Sequence, residues 1–432
     1  LIDHFRVYAF PDAQLGDIPC TVHLVAGTES PFYETDVEID LSLSLNQFGY
    51  PITGINIKSS PMIADLDGNS YSEIYFGGED DKLHGYMIAG MTQYGFPFEC
   101  GGNVRSSPAG GDVDGDGDNE IVFGSHDGNL YIVSTSGIQE LAYTQAGYIV
   151  GAPALFDLDG DEDLEIIFTT QNGSNGKVYA IHHDGNDVDG FPIDISEKML
   201  VGAAVGDLEG DGSPDIVVVT WEDHIYAFNA DGTTKSGFPF LASNRFNSPA
   251  TLVDLDDDGD LEIVAGNDDG NLYILHHDGS VMTTFSTGDD IRGGISVADV
   301  NDDGSNELLF VGYDDLLHVW NPASGEELEG WPFDLGYNSL SGPITADLDN
   351  DGDLEIIAAM RTGTVFVFHH DGSMLNNFPT NFAGNIESTP TVGDLDNDGD
   401  FELVFGTTQG LQVIDIKSDA GSRDSWKMHR GN

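Results

Sequence analysis

Short runs of β-branched and aromatic residues, bounded by Asp-Gly, Asn-Gly or similar turns, recur along most of the chain. One unit can be read between Ser106 and Tyr148. Ser106-Ser107-Pro108-Ala109 leads into an acidic loop, and Glu120-Ile121-Val122-Phe123-Gly124 forms a first apolar run. A turn at His126-Asp127-Gly128 follows, then Asn129-Leu130-Tyr131-Ile132-Val133, a turn near Gly137 and a further segment. Runs of this length and composition between such turns are hairpin signals. The pattern predicts a small antiparallel sheet of three or four strands as the repeating unit. Other stretches follow the same grammar, as in Asn271-Leu272-Tyr273-Ile274-Leu275 and Lys177-Val178-Tyr179-Ala180-Ile181, each running into His-His-Asp-Gly.

A second marker closes most units: Gly95-Phe96-Pro97, Gly190-Phe191-Pro192, Gly237-Phe238-Pro239, Gly330-Trp331-Pro332 and Asn377-Phe378-Pro379. Proline lacks a ladder donor and suits an edge, so this marker belongs with the outermost strand. Gly49-Tyr50-Pro51 carries it before any complete unit, which predicts that residues 47–55 join the sheet of the last unit and close a ring. The competing candidate for that role is the terminal Ser425-Trp426-Lys427-Met428-His429-Arg430. Four-stranded sheets repeated at 40 to 50 residues predict a β-propeller of eight blades, seven being the alternative count. Residues 1–46 differ. Phe5-Val7-Ala9, the stretch from Thr21 to Val25, and Val37-Ile39-Leu41-Leu43-Leu45 alternate with period two. They are expected to form a β appendage, part of an immunoglobulin-like sandwich, with a strand donor for a partner as the sharper alternative. Residues 47–432 are the propeller.

Composition changes the picture through its acids. The 432 residues carry 76 acidic against 14 basic side chains, a net charge of −62. Half of the acids, 38, fall in eight nonapeptides of the form D-x-[D/N/E]-x-[D/N]-G-x-x-[D/E] spaced 45 to 50 residues apart. Carboxylates at alternate positions of a tight loop, with glycine at the bend, suit a hard cation that collects six to eight oxygens. The candidate ligands are Asp65, Asp67, Asn69, Tyr71 and Glu73; Asp112, Asp114, Asp116, Asp118 and Glu120; Asp157, Asp159, Asp161, Asp163 and Glu165; and Asp207, Glu209, Asp211, Ser213 and Asp215. The second half of the chain adds Asp254, Asp256, Asp258, Asp260 and Glu262; Asp299, Asn301, Asp303, Ser305 and Glu307; Asp347, Asp349, Asp351, Asp353 and Glu355; and Asp394, Asp396, Asp398, Asp400 and Glu402. Positions 1, 3 and 5 point inward, position 7 offers its backbone carbonyl and position 9 closes the shell. An EF-hand closes at position 12 between helices, so these are calcium loops of another kind. The loops at 112, 254, 347 and 394 fit fully. Position 6 is Glu162 in the third loop and Ser70 in the first, while Glu209 and Asn301 alter position 3. Up to eight Ca2+ ions are expected, and they would reduce the net charge to about −46.

So few scattered basic residues exclude a nucleic-acid surface and disfavour anionic membranes; no run reaches the ~18 apolar residues of a membrane span. A calcium demand at extracellular levels, together with few lysines, places the expected site of action at the cell exterior. The chain opens at Leu1, which reads as a mature or excised fragment. Cys20 and Cys100 are either one disulfide or two buried thiols.

The repeats resemble the FG-GAP repeats of integrin α-subunit propellers and the related VCBS-type repeats of bacterial secreted adhesins and surface proteins. Phe76-Gly77, Phe123-Gly124 and Phe405-Gly406 match the first element; Gly151-Ala152-Pro153 and the Ser-Pro or Gly-Pro pairs at 107–108, 248–249 and 342–343 match the second. The ending Trp426-Lys427-Met428-His429-Arg430-Gly431-Asn432 also looks like the C-terminal region of large exported bacterial proteins. What the resemblance implies is a calcium-binding propeller used in adhesion, weakly specific for function.

Other motifs read more plainly. His182-His183, His276-His277 and His369-His370 invite a zinc proposal, but neighbours on a strand face opposite ways, so a hairpin-turn role is expected, with a pore-lining ring as the alternative. Trp331 is expected to pack, whereas Trp221 and Trp320 are candidates for an exposed ligand site. No G-x-S-x-G, H-E-x-x-H or Cys-His pattern appears. The reading is therefore a non-catalytic module for adhesion or protein or glycan recognition. One alternative is a structural subunit of a surface layer or filament assembled through residues 1–46. Another is a polysaccharide lyase, with Arg105, Arg245, Arg292 and Arg361 neutralising uronate, or an accessory module of a secreted protease.

Overall fold

The computed structural model describes residues 15–26, 33–145, 147–423 and 425–428. Within them, eight antiparallel sheets of four or five strands follow one another along the chain. Each blade runs from an inner strand a to an outer strand d. Blade 2 is typical: Ala109–Gly111, Glu120–Gly124, Asn129–Ser134 and Gln139–Thr144. Blade 1 spans residues 62–99, and blades 3 to 7 span 154–195, 204–241, 251–286, 296–334 and 344–381.

Blade 8 is built from both parts of the chain. Thr391–Gly393, Asp400–Thr407 and Gly410–Asp419 supply its first three strands, and Ile52–Thr53 adds the fourth, with Ile52 opposite Leu411. Ring closure thus uses the stretch around Gly49-Tyr50-Pro51, as its marker predicts. The competing terminal segment goes elsewhere: the Thr345 amide donates to the Trp426 carbonyl and the Val392 amide to the Lys427 carbonyl, so residues 426–428 line the inner strands of blades 7 and 8. Trp426 and Met428 border a central cavity of about 510 Å3 whose other walls include Met62, Ala109, Ala154 and Ala250. His429 and Arg430 lie outside the described residues.

The b strands explain the fold's stability. Glu120–Gly124, Glu262–Gly266 and Glu355–Ala359 are buried at every position, because each blade is covered on both faces by its neighbours. Hydrophobic clusters accordingly lie between successive blades. One joins blades 1 and 2 through Tyr75, Leu83, Ile121 and Phe123; another joins blades 8 and 1 through Val404, Leu411, Ile57 and Phe76. Burying a large apolar side chain contributes about 1.5–3 kcal/mol.

The Gly-aromatic-Pro marker precedes strand d, as at Phe98–Glu99 and Phe240–Leu241. Its glycine makes room for the neighbouring blade. Gly237 adopts φ +93°, and a Cβ there would lie 1.9 Å from the Asp278 carbonyl oxygen in the c–d turn of the next blade. Asn377 occupies the equivalent left-handed position at φ 70° in blade 7. The following blade takes its d strand from Ile52–Thr53 and has no c–d hairpin, which relieves the steric demand that requires glycine elsewhere.

Near the N-terminus, Gly16–Ala26 pairs with Tyr33–Leu43 in a two-stranded antiparallel ribbon. The strand expected at Phe5-Val7-Ala9 lies outside the described residues. Residues 45 and 46 already pair with blade 8, through Asp415 N–H to the Leu45 carbonyl and an Asn46–Ile414 bridge. Cys20 sits in the ribbon and Cys100 in blade 1; both thiols are free.

Candidate metal loops and the opposite face

Alternation of strand direction puts the a–b loops and c–d turns on one face of the ring, and the b–c turns and blade-to-blade connections on the other. All eight acidic nonapeptides are a–b loops. Their folding is local. In the loop at Asp112, Oδ1 of position 1 accepts the N–H of Asp116 and Oδ2 accepts that of Gly117, while Asp116 Oδ1 accepts the N–H of Asp118. The same turn recurs at Asp65, Asp207 and Asp299. Position 6 is left-handed throughout, from Gly117 at φ 96° to Gly399 at φ 97°.

Ser70 and Glu162 hold that conformation at φ 71° and 80° and carry the strain that glycine avoids. Glu162→Gly is therefore expected to raise the unfolding free energy by on the order of 1 kcal/mol, read as a shift of the denaturant midpoint. An unchanged or lower midpoint contradicts the strain at this loop.

Position 9 opens strand b in blades 1 to 7, lies two residues inside it in blade 8, and is the most buried acid of each loop: Glu165, Glu262, Glu307, Glu355 and Glu402 are all 0% exposed. One oxygen accepts the amide of position 2, as in Leu158 N–H to Glu165 Oε2 at 2.7 Å and Leu348 N–H to Glu355 Oε2 at 2.7 Å. The other is bound by the residue just past strand c, His182 (3.0 Å), His276 (3.3 Å) or His369 (3.1 Å), or by its last residue, Asn321 (3.0 Å). Blade 4 differs: the buried Lys235 bridges Glu209 and Asp215, meeting the same Asp215 Oδ2 that accepts the Leu208 amide.

The histidine pairs sit in the c–d hairpin turns, as expected, with the Gly185 amide donating to the His182 carbonyl and the Gly279 amide to the His276 carbonyl, away from the inner strands that a pore ring requires. The first His holds position 9, and the second holds the side chain of position 7, as His183 does with Asp163, His277 with Asp260 and His370 with Asp353. No sequence signal announces this, because the two contacts join residues 14 to 20 positions apart.

Burial raises the position-9 carboxyls. Desolvation pushes Glu73, Glu120 and Glu355 up to about 7 and Glu402 up to about 8. Several motif oxygens are buried with no hydrogen-bond partner: Glu73 Oε2, Asp254 Oδ1, Asp347 Oδ1, Asp349 Oδ1, Asp396 Oδ1 and Glu402 Oε1. Asp396, Asp398, Asp400 and Glu402 each offer an oxygen within 4.8 Å of the others, and Asp159 and Glu165, or Asp256 and Glu262, do so with a histidine. A buried unpaired carboxylate is costly, and a divalent ion collecting these oxygens removes the cost. The all-carboxylate set of blade 8 fits calcium, a hard cation, and in the other two groups it is the carboxylate oxygens that do. The first loop makes the same turn as the others, but its Tyr71 is 55% exposed.

The opposite face carries Arg105, Arg245, Arg292 and Arg361, whereas Arg423 bonds to Asp299 and Gly352 on the acidic-loop face. Arg105 pairs with Glu79, Arg245 and Arg292 share Asp268, and Arg361 approaches Glu387. Trp221, in the b–c turn of blade 4, lies under Lys198 at 4.4 Å and Arg245 at 4.5 Å. Beside it, His224 Nδ1 contacts both Glu197 and Asp223, a cluster without a sequence motif. Trp320, expected at an exposed site, is instead 3% exposed, because it stands on strand c between two blades. Trp331 packs as expected, its indole N–H donating to the His370 carbonyl.

Residues 157–218, 299–358 and 347–405 match the family described as FG-GAP-like repeat. No curated protein matches the sequence. Among solved structures, Sqt1 of Saccharomyces cerevisiae is similar with a TM-score of 0.64 at 12% identity, over 86% of this chain and 99% of that one. BamB from Moraxella catarrhalis gives 0.56 at 14% identity, over 84% and 97%. BBS1N, solved in complex with ARL6DN, gives 0.52 at 14% identity, over 87% and 98%. At such identities the likeness is one of fold. No helix among the described residues is long and apolar enough to cross a membrane. The chain is an eight-bladed β-propeller carrying FG-GAP-like repeats.

Proposed function

We propose that this propeller is a calcium-stapled, non-catalytic binding module that works outside the cell and holds a protein or glycan partner. The observation that carries the calcium part is the set of buried, partnerless carboxylate oxygens at motif positions 1, 3 and 9. Each ion ties strand a to strand b of its blade, and a ring with eight such ties presents its other face with little conformational freedom. Extracellular calcium modules fill where calcium is millimolar, and we place these loops with them.

The partner surface we favour is the face of the b–c turns around Trp221. Tryptophan and arginine are the side chains that most often anchor interfaces, and the stacked Lys198 and Arg245 form a cationic aromatic spot on a chain of net charge −62. The lyase alternative draws less support, because Arg105, Arg245, Arg292 and Arg361 already face carboxylates of their own chain.

The test is a screen of glycans and surface proteins in calcium and in chelator, repeated with Trp221→Ala. The expected result is a ligand whose affinity falls tenfold or more in the variant, ~1.4 kcal/mol or above, with the melting temperature unchanged. Ligands that bind the variant and the chelated chain equally well count against this reading.

A further inference from the structure

Blade 8 departs from the other seven at one cross-strand pair. The ladder register sets each position-9 acid opposite one residue of strand c or just past it. In blades 2 and 4 these are Ser134 and Asn229, and one step beyond the last ladder pair in blades 1, 3, 5, 6 and 7 stand Met87, His182, His276, Asn321 and His369. In blade 8, Glu402 faces Asp415. Like charges directly opposite destabilise a ladder, and these two are buried, at 0% and 4% exposure.

The chain meets their charge only in part, through Lys417 at Asp415 and the Leu395 amide at Glu402 Oε2. Glu402 Oε1 and Asp415 Oδ1 have no hydrogen-bond partner, nor do Asp396 Oδ1 and Asp400 Oδ1 in the same blade. Lys417 contacts Asp415 through Oδ2, and its side chain is 55% exposed. One ammonium stands against five carboxylates: Asp396, Asp398, Asp400, Glu402 and Asp415. Blade 4 provides the contrast, since the buried Lys235 there satisfies Asp215 and Glu209 from within.

Asp415 is also the point where the ring closes. Its amide donates to the Leu45 carbonyl at 2.8 Å, and the Gln47 amide donates to Val413 at 2.9 Å. Gln47 Nε2 reaches Asp396 Oδ2 of the acidic loop at 2.8 Å. Loop, strand c and closing segment therefore share one set of contacts.

We propose that Asp415 is a cation ligand supplied from outside the acidic motif, completing in blade 8 a divalent-metal site whose occupancy latches residues 45–57 onto the ring. Five carboxylates and water supply the six to eight oxygens that calcium takes. The inference rests on the calcium reading above, and the experiment separates the two.

Hydrogen exchange is followed in the whole chain at the amides of Gln47, Gly54 and Ile57, which bond to the carbonyls of Val413, Gln409 and Thr407. In the wild type, calcium is expected to slow exchange at these amides. In Asp415→Asn, which keeps the side chain's shape and removes the repulsion, at least about tenfold of that slowing is lost, while the slowing in the loop of blade 2 is retained. Equal slowing in both proteins overturns the role of Asp415. Loss of the slowing in Lys417→Met also overturns it, by assigning the acidic pair to the lysine. No calcium effect in any blade of the wild type overturns the calcium reading instead.

Discussion

Chelation of the calcium-loaded protein is expected to lower its melting temperature by about 10 °C or more. A ligand that binds only the folded state contributes RT ln(1 + [L]/Kd), ~2.7 kcal/mol per site at a hundredfold excess over Kd. The four loops that fit the motif fully, at Asp112, Asp254, Asp347 and Asp394, then contribute roughly 11 kcal/mol together. An unfolding entropy of about 2.1 cal/mol/K per residue over a ring of this size converts that into a shift of roughly 13 °C. The physical source is visible in the loops, where Asp254 Oδ1, Asp347 Oδ1 and Glu402 Oε1 are buried without donors. Calorimetry with calcium and with chelator, beside elemental analysis, checks it. An unchanged melting temperature together with fewer than about three ions per chain removes calcium from the account.

The second large effect is an inversion of pH dependence. Glu73, Glu120 and Glu355 titrate near 7 and Glu402 near 8 in the folded, metal-free chain, because burial disfavours their charge. Between the unfolded value near 4.5 and these raised values the folded state binds more protons, so its stability falls as pH rises. His318 works in the same direction by another route. Burial opposes its charge, but Asp314 and Glu327 bind it and lift it to about 9, so its contribution is complete below the unfolded value and disappears as pH climbs through 9. Asp268, which the guanidiniums of Arg292 and Arg245 hold low against its own burial, acts oppositely but below the ordinary carboxylate range, outside this window. The chelated protein is thus expected to melt several degrees higher at pH 5.5 than at pH 7.5, a difference on the order of several kcal/mol. With saturating calcium the order reverses, since protons compete for the same oxygens. Two melting curves at each pH, with and without chelator, decide the point. A chelated protein that is more stable at pH 7.5 contradicts the burial argument.

Much of this is legible in the chain. Strand b and strand c of each unit, with the turns between them, follow from local signals that repeat eight times, and repetition averages away the ambiguity of any one copy. The acidic nonapeptides are equally local, since their turn is made by bonds within six residues, as between Asp112 and Gly117. The role of the histidine pairs escapes a local reading because their partners stand across the sheet. For Trp320 and Trp331 the surrounding residues suggest an exposed site and a packed one, and the packing agrees only with the second.

By itself, then, the amino-acid sequence determined the period, the antiparallel unit, the acidic loops and the glycine at their bend, all of which arise from interactions between near neighbours. Tertiary structure alone decided between the two candidate closing segments, seating Ile52–Thr53 in blade 8 and turning Trp426 inward, and decided that His182, His276 and His369 grip the position-9 acids and that Asp415 faces Glu402. Those features depend on which strands meet after some hundreds of residues have been folded into a circle, and no local pattern carries that distance.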